Sequence, residues 1–173
     1  MNIPNACNKC HEDKDTDWAI KWTNTWYGDK LHTPERKRQR ARTRAIGSVY
    51  SGNPTSLEPM LKAYSQEPNP YWQASLIQIM QAFATDPRVQ NIAREAVRSK
   101  ESIVRASACR ILEFSPDNGP WLEPMLQDPV KEVRMAAAWA RRTRLSERSE
   151  ILKELKETII FTADQPAGAM RMA

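Results

Sequence analysis

The chain has 173 residues, 40% hydrophobic and 27% charged, and its 26 Lys+Arg against 21 Asp+Glu leave a net charge of +5. Twelve Pro, five Gly and no apolar run near the roughly 18 residues of a spanning helix exclude membrane-embedded, collagen-like and low-complexity proteins, and three Cys cannot build a disulfide scaffold. Ala, Arg, Glu, Leu, Met and Gln are plentiful and the β-branched residues do not alternate, so the expected fold class is all-α.

The first chemical motif is Cys7-Asn8-Lys9-Cys10-His11. Cys-x-x-Cys-His is the attachment spacing of c-type haem: two thiols reach the two vinyl groups of one macrocycle, and the next His falls below the iron. Three rival readings stay open at this point. A thioredoxin-like pair needs a βαβ context, zinc would have to gather Cys7 and Cys10 with His11 or His32, and the grouping could be chance.

Asp15, Thr16 and Asp17 are N-cap candidates for a helix over 16–27, with Trp18, Trp22 and Trp26 at i, i+4 and i+8 and Gly28 closing it. The Trp stripe either covers one face of a macrocycle or docks this segment onto later helices. His32 is the only other His and the candidate sixth iron ligand. A helix over 16–27 runs about 18 Å, and the four residues after it return at most roughly 14 Å. His32 therefore reaches the same haem only if the helix folds back, and otherwise serves another haem or lies free on the surface.

Thr33-Pro34 reads as the N-cap and first residue of the next helix, followed by a basic run: Arg36, Lys37, Arg38, Arg40, Arg42 and Arg44. A narrow buried stripe is expected near Ala41, Ala45 and Val49. Such a run is usually a solvated face. The functional alternatives are haem propionates, an acidic redox partner or, last because no aromatic is interleaved, nucleic acid.

Beyond it the chain repeats. Leu57-Glu58-Pro59-Met60-Leu61 recurs as Leu122-Glu123-Pro124-Met125-Leu126, each copy followed by Asn69-Pro70 or Asp128-Pro129 and a helix-period run. Pro59 and Pro124 are each expected in a first helical turn. Aligning Trp72, Val104 and Val133 gives a period of roughly 30 residues, the size of two short helices. The expected buried stripes are Trp72, Leu76, Ile79, Met80 and Phe83; Val104, Ala108, Ile111 and Leu112; and Val133, Ala137 and Ala140. Cys109 and the Met residues at positions 60, 80, 125 and 135 belong to the core, not to a reactive or ligating set.

This pattern resembles HEAT repeats from about Thr33 to Leu155, through Asp128-Pro129 and the recurring Val104-Arg105 and Val133-Arg134. With Asn5 to Lys14, Asp17-Trp18-Ala19, Trp26-Tyr27-Gly28 and the closing Ala163 to Gly168, the chain resembles a bacterial family of multihaem c-type cytochromes. In that family the last haem motif is followed by HEAT-like and then tetratricopeptide repeats. The resemblance implies a haem-binding segment over 1–32, a HEAT-like α-solenoid of about four helix pairs over 33–160, and the start of a further repeat region or a tail over 161–173. It gives Cys7 and Cys10 thioether roles and His11 the proximal position; the Trp stripe, read on its own, makes Trp18 the candidate to lie against the haem. The implied function is electron transfer in the periplasm or another extracytoplasmic compartment, with a redox partner or a neighbouring haem domain, no nucleic acid and no membrane span. This chain has one Cys-x-x-Cys-His where the family has several and opens without a signal sequence, as a fragment of a longer secreted protein would. No hydrolytic constellation is visible, so an electron carrier is expected and not an enzyme, although the parent could be a multihaem oxidoreductase. The alternative is a haem-free HEAT-like interaction module, with or without zinc at Cys7 and Cys10.

Overall fold

The computed structural model describes residues 6–146 and 149–161, and every regular element among them is helical. The expected 161–173 region lies, from residue 162, outside the described residues. Among the described residues no helix is long and apolar enough to cross a membrane. The chain divides into two units, Met1–Gln66 and Glu67–Ala173. The division thus falls some thirty residues after the change in composition at residue 32.

The first unit begins with α1 (Ala6–Cys10) and α2 (Thr16–Tyr27). Asp15 caps α2, its carboxylate accepting from the Trp18 N–H at 2.8 Å, and Asp17 lies in the positive first turn. Gly28, at φ 45°, ends the helix in a conformation that a side chain would oppose. A 3-10 turn over Gly28–Leu31 leads to α3 (Pro34–Tyr50), where Thr33 accepts from the Arg36 N–H at 3.2 Å and Pro34 fills the first position. α3 packs on α4 (Leu57–Ser65) across a turn containing Gly52 at φ 71°. Of the expected α3 stripe Ala45 is buried, Val49 half-buried and Ala41 exposed. The nine residues of α4 run about 14 Å, about half the length of the 17-residue α3, so α4 is too short to cover all of it.

The second unit comprises α5 (Pro70–Met80), α6 (Pro87–Ala96), α7 (Ser102–Leu112), α8 (Gly119–Leu122), α9 (Lys131–Ala140) and α10 (Glu150–Phe161). α5 packs on α7, α7 on α9 and α9 on α10, while α6 lies against α7. The expected stripes of α7 and α9 are buried throughout. In α5 the buried face is Ala74, Leu76, Ile77 and Met80, and Trp72 is 41% exposed. α5 carries apolar residues on several sides, and in such a helix spacing alone does not select the face that packs.

The two Leu-Glu-Pro-Met-Leu copies take different local structures. Pro59 is the third residue of α4, where no intrahelical N–H is needed. Pro124 follows α8, cannot donate to the carbonyl four residues back, and opens a 3-10 turn over Pro124–Gln127 instead of lying in an α-helical first turn.

A different repetition is more regular. In four helices the fourth residue is long and polar and donates to the carbonyl six residues before it: Gln73 to Glu67 at 2.7 Å, Gln90 to Ala84, Arg105 to Ser99 at 2.8 Å and Arg134 to Asp128 at 2.9 Å. Helical side chains lean toward the N-terminus, so this position is the one that reaches the preceding loop. The arginines continue outward. Arg105 grips both oxygens of Asp128 at 2.7 and 3.0 Å, and Arg134 reaches Glu154 at 2.8 Å, each joining its helix to the next segment.

The Arg105–Asp128 side chains are only 13% and 5% exposed. Hydrogen bonds from Arg105, with help from the Val130 N–H, hold the Asp128 carboxyl below the usual carboxylate range despite its burial. Asp128→Asn leaves the guanidinium buried without its counter-charge and should cost about 3 kcal/mol at pH 7. A group with a depressed folded pKa contributes stability above its unfolded pKa of about 4 and loses it as the pH falls through the folded value. Urea titrations of both proteins should therefore give a large difference at pH 7 that shrinks below about pH 4; a pH-independent difference would assign the loss to packing.

Candidate functional site

The Cys-x-x-Cys-His motif occupies one helical turn. Cys7 and Cys10 lie in α1, and the His11 N–H extends the turn by donating to the Cys7 carbonyl at 2.9 Å. At about 100° per residue, positions i, i+3 and i+4 of a regular helix share an arc of roughly 100°, which sets the three backbone positions on one side of the turn. Both cysteines are free, Cys7 half-buried and Cys10 exposed.

Asn8, between them, sets where the following loop goes. Its side-chain amide donates to the carbonyls of Lys14, at 2.6 Å, and Asp15, at 3.3 Å, while the Lys14 N–H donates to the His11 carbonyl at 3.1 Å. The loop is thereby folded back on α1, and its last residue is the cap of α2. The result is contact between His11 and Trp18, whose ring centroids are 4.8 Å apart with planes at 52°. From Trp18 the row continues to Trp22 at 6.4 Å and Trp26 at 5.8 Å. Trp22 and Trp26 are 39% and 63% exposed, so this is an aromatic surface in contact with solvent and not a core.

Cys7, Cys10, His11 and Trp18 are thus gathered within one short segment. His32 is not brought to them. It follows the 3-10 turn at the other end of α2, and Trp18 to Tyr27 alone rises about 14 Å. Its backbone N–H donates to the Asp29 carbonyl at 2.9 Å. Among the described residues no three His, Cys, Asp or Glu side chains converge as a metal-ion site. A thioether-linked haem asks for two adjacent thiols, one imidazole and an apolar surface, and the residues here fit that set.

Cys109 has a different environment. It is fully buried in α7, and burial, reinforced by Asp128, pushes its thiol up to about 12. Met60, Met80 and Met135 are buried, consistent with packing, and Met125 is half-buried.

The second unit holds a feature that the repeat pattern does not reveal. A cleft of ≈ 740 Å³ is lined by side chains including Gln78, Arg110, Glu113, Lys131, Met135 and Trp139. Arg142 closes over the Trp139 ring at 4.4 Å and pairs with Glu113. These residues come from α5, α7, α9 and the segments after them, so only the stacking of the helices brings them together.

No family model matches the sequence, and no curated protein and no solved structure is significantly similar to it. The motifs and their geometry carry the functional reading.

Thiol accessibility gives a direct check. In haem-free protein, iodoacetamide at pH 8 should modify Cys7 and Cys10 and leave Cys109 untouched until denaturant is added, because alkylation requires exposed thiolate. Intact mass counts the adducts, and three in the native state would contradict the burial of Cys109.

Proposed function

We propose that residues 6–32 bind one c-type haem and that the chain is an electron-transfer protein. The observation that carries this reading is the placement of Cys7, Cys10 and His11 within a single helical turn, with the His11 ring packed on Trp18. Cys7 and Cys10 would form the thioethers, and His11 the proximal bond. Haem, when bound, supplies a one-electron Fe(III)/Fe(II) couple. Trp18 restrains the imidazole, and with Trp22 and Trp26 offers apolar surface that excludes water from one side of the site. Asn8 holds the loop that sets the His11–Trp18 contact.

His32 would serve a second haem, since α2 separates it from His11. By resemblance the site works outside the cytoplasm, beside a redox partner protein or a neighbouring haem domain. The second unit would be a HEAT-like scaffold. Supporting that are the succession α5, α7, α9 in mutual contact and the recurrence of Arg105 and Arg134 at equivalent positions with equivalent bonds. The cleft at Trp139 favours a second reading, a haem-free interaction module of the same HEAT-like kind.

The test is co-expression behind a secretion signal with haem-attachment machinery, followed by visible spectroscopy. The expected product has a c-type spectrum that His11→Ala alters and His32→Ala leaves unchanged. A spectrum displaced by His32→Ala would return His32 to this iron, and a colourless folded product would favour the interaction module.

A further inference from the structure

The charge of this chain is concentrated on one helix. α3 carries six basic residues and one acidic residue, so its net charge of +5 equals that of the whole chain. The rest of the chain is balanced, and α10 interleaves Glu150, Glu154 and Glu157 with Lys153 and Lys156. On α3, Arg36, Arg40 and Arg44 follow every fourth residue, and Lys37 falls within the same arc of roughly 100°. All four are exposed, and none pairs with a carboxylate among the described residues: Arg36 donates to the Gln39 side chain and Arg40 to the Leu31 carbonyl. Like charges at i, i+4 oppose helix formation, and among the described residues no ion pair of these four offsets that.

We propose that this face of α3 is a docking surface for an acidic protein partner. The proposal does not depend on haem. Arg36, Arg40 and Arg44 lie about 6 Å apart along the axis, the interval of carboxylates at every fourth position on a partner helix. Arginine predominates, and its planar fork binds carboxylate through two parallel bonds that lysine cannot form. A lipid surface fits less well, because a helix embedded in a membrane interface needs a free apolar face beside its charge, and on α3, which packs on α4, Ala45 is buried. A nucleic acid fits poorly as well. No aromatic ring is interleaved with the basic side chains, and the one amide among them, Gln39, is held by Glu35 and Arg36.

The test uses the full chain and a fluorescein-labelled helical peptide of about 20 residues with Glu at every fourth position. A single-stranded oligo-dA and vesicles of phosphatidylcholine and phosphatidylglycerol serve as comparisons. Peptide binding should weaken at least about tenfold between 50 and 200 mM salt. It should fall by a similar factor in the triple variant Arg36→Glu, Arg40→Glu, Arg44→Glu. The triple variant Lys62→Glu, Lys100→Glu, Lys153→Glu, which has the same net charge, should stay within about twofold of wild type. If the first triple variant loses helical circular dichroism, the Gln versions of the same three positions are read instead. Equal loss in both triple variants would reduce the effect to net charge. Tighter binding of oligo-dA or of vesicles than of peptide would assign the face to a different partner, and absence of peptide binding would leave it a solvated surface. Each of these three results overturns the proposal.

Discussion

The bond from Arg105 to Asp128 ties α7 to the segment that opens α9. One guanidinium donates to two carbonyls of the loop before its own helix and to both oxygens of a carboxylate in the loop before α9. Asp128 in turn accepts from the Val130 N–H at the start of α9, and its backbone carbonyl accepts from Arg134. Arg134 then reaches Glu154 in α10. The chain of contacts converts a local preference, a long side chain at the fourth helical position, into registration between successive helices. Burying such charges is costly unless every donor is answered, and here the donors of Arg105 are divided between backbone and carboxylate. Cys109 lies one helical turn beyond Arg105 on α7, and its raised thiol pKa follows from the same packing.

The first unit is built from shorter-range constraints. Asn8, Asp15 and Gly28 act over at most seven residues, and together they place His11 against Trp18 and end α2. The rings from His11 to Trp26 form a continuous row that solvent reaches, which a folded chain does not leave without cost. A planar apolar cofactor beside the motif, as proposed, would cover part of that surface.

Range in sequence also explains what could be read beforehand. The limits of α2 followed from Asp15 and Gly28, and the start of α3 from Thr33-Pro34, because caps are local chemistry. The buried stripes of α7 and α9 followed from spacing, although both helices also bury residues outside those stripes, Ala106 and Ser107 in one and Met135 and Ala138 in the other. Trp72 did not, because α5 is apolar on several sides and its packed face is chosen by α7. The letter-for-letter copies at 57–61 and 122–126 differ in structure, whereas the looser Val-Arg recurrence marks a repeated bond. That bond runs to the carbonyl six residues back, and the ion pairs beyond it, 23 and 20 residues apart, have no local signature beyond the arginine. Within the candidate site, Cys7, Cys10, His11 and Trp18 were legible from twelve consecutive residues. The separation of His32 depended on the straight course of α2, and the cleft at Trp139 on helices brought together from across the unit.

The central claim is that Cys7 and Cys10 hold haem through carbon–sulfur bonds. The most direct measurement is the intact mass of the chain, purified from cells with haem-attachment machinery, after extraction with acidified acetone, which removes haem that is only coordinated. The account predicts a chain heavier by one haem, with Cys109 as its single alkylatable thiol under denaturing conditions. An unmodified mass with three alkylatable thiols would contradict it.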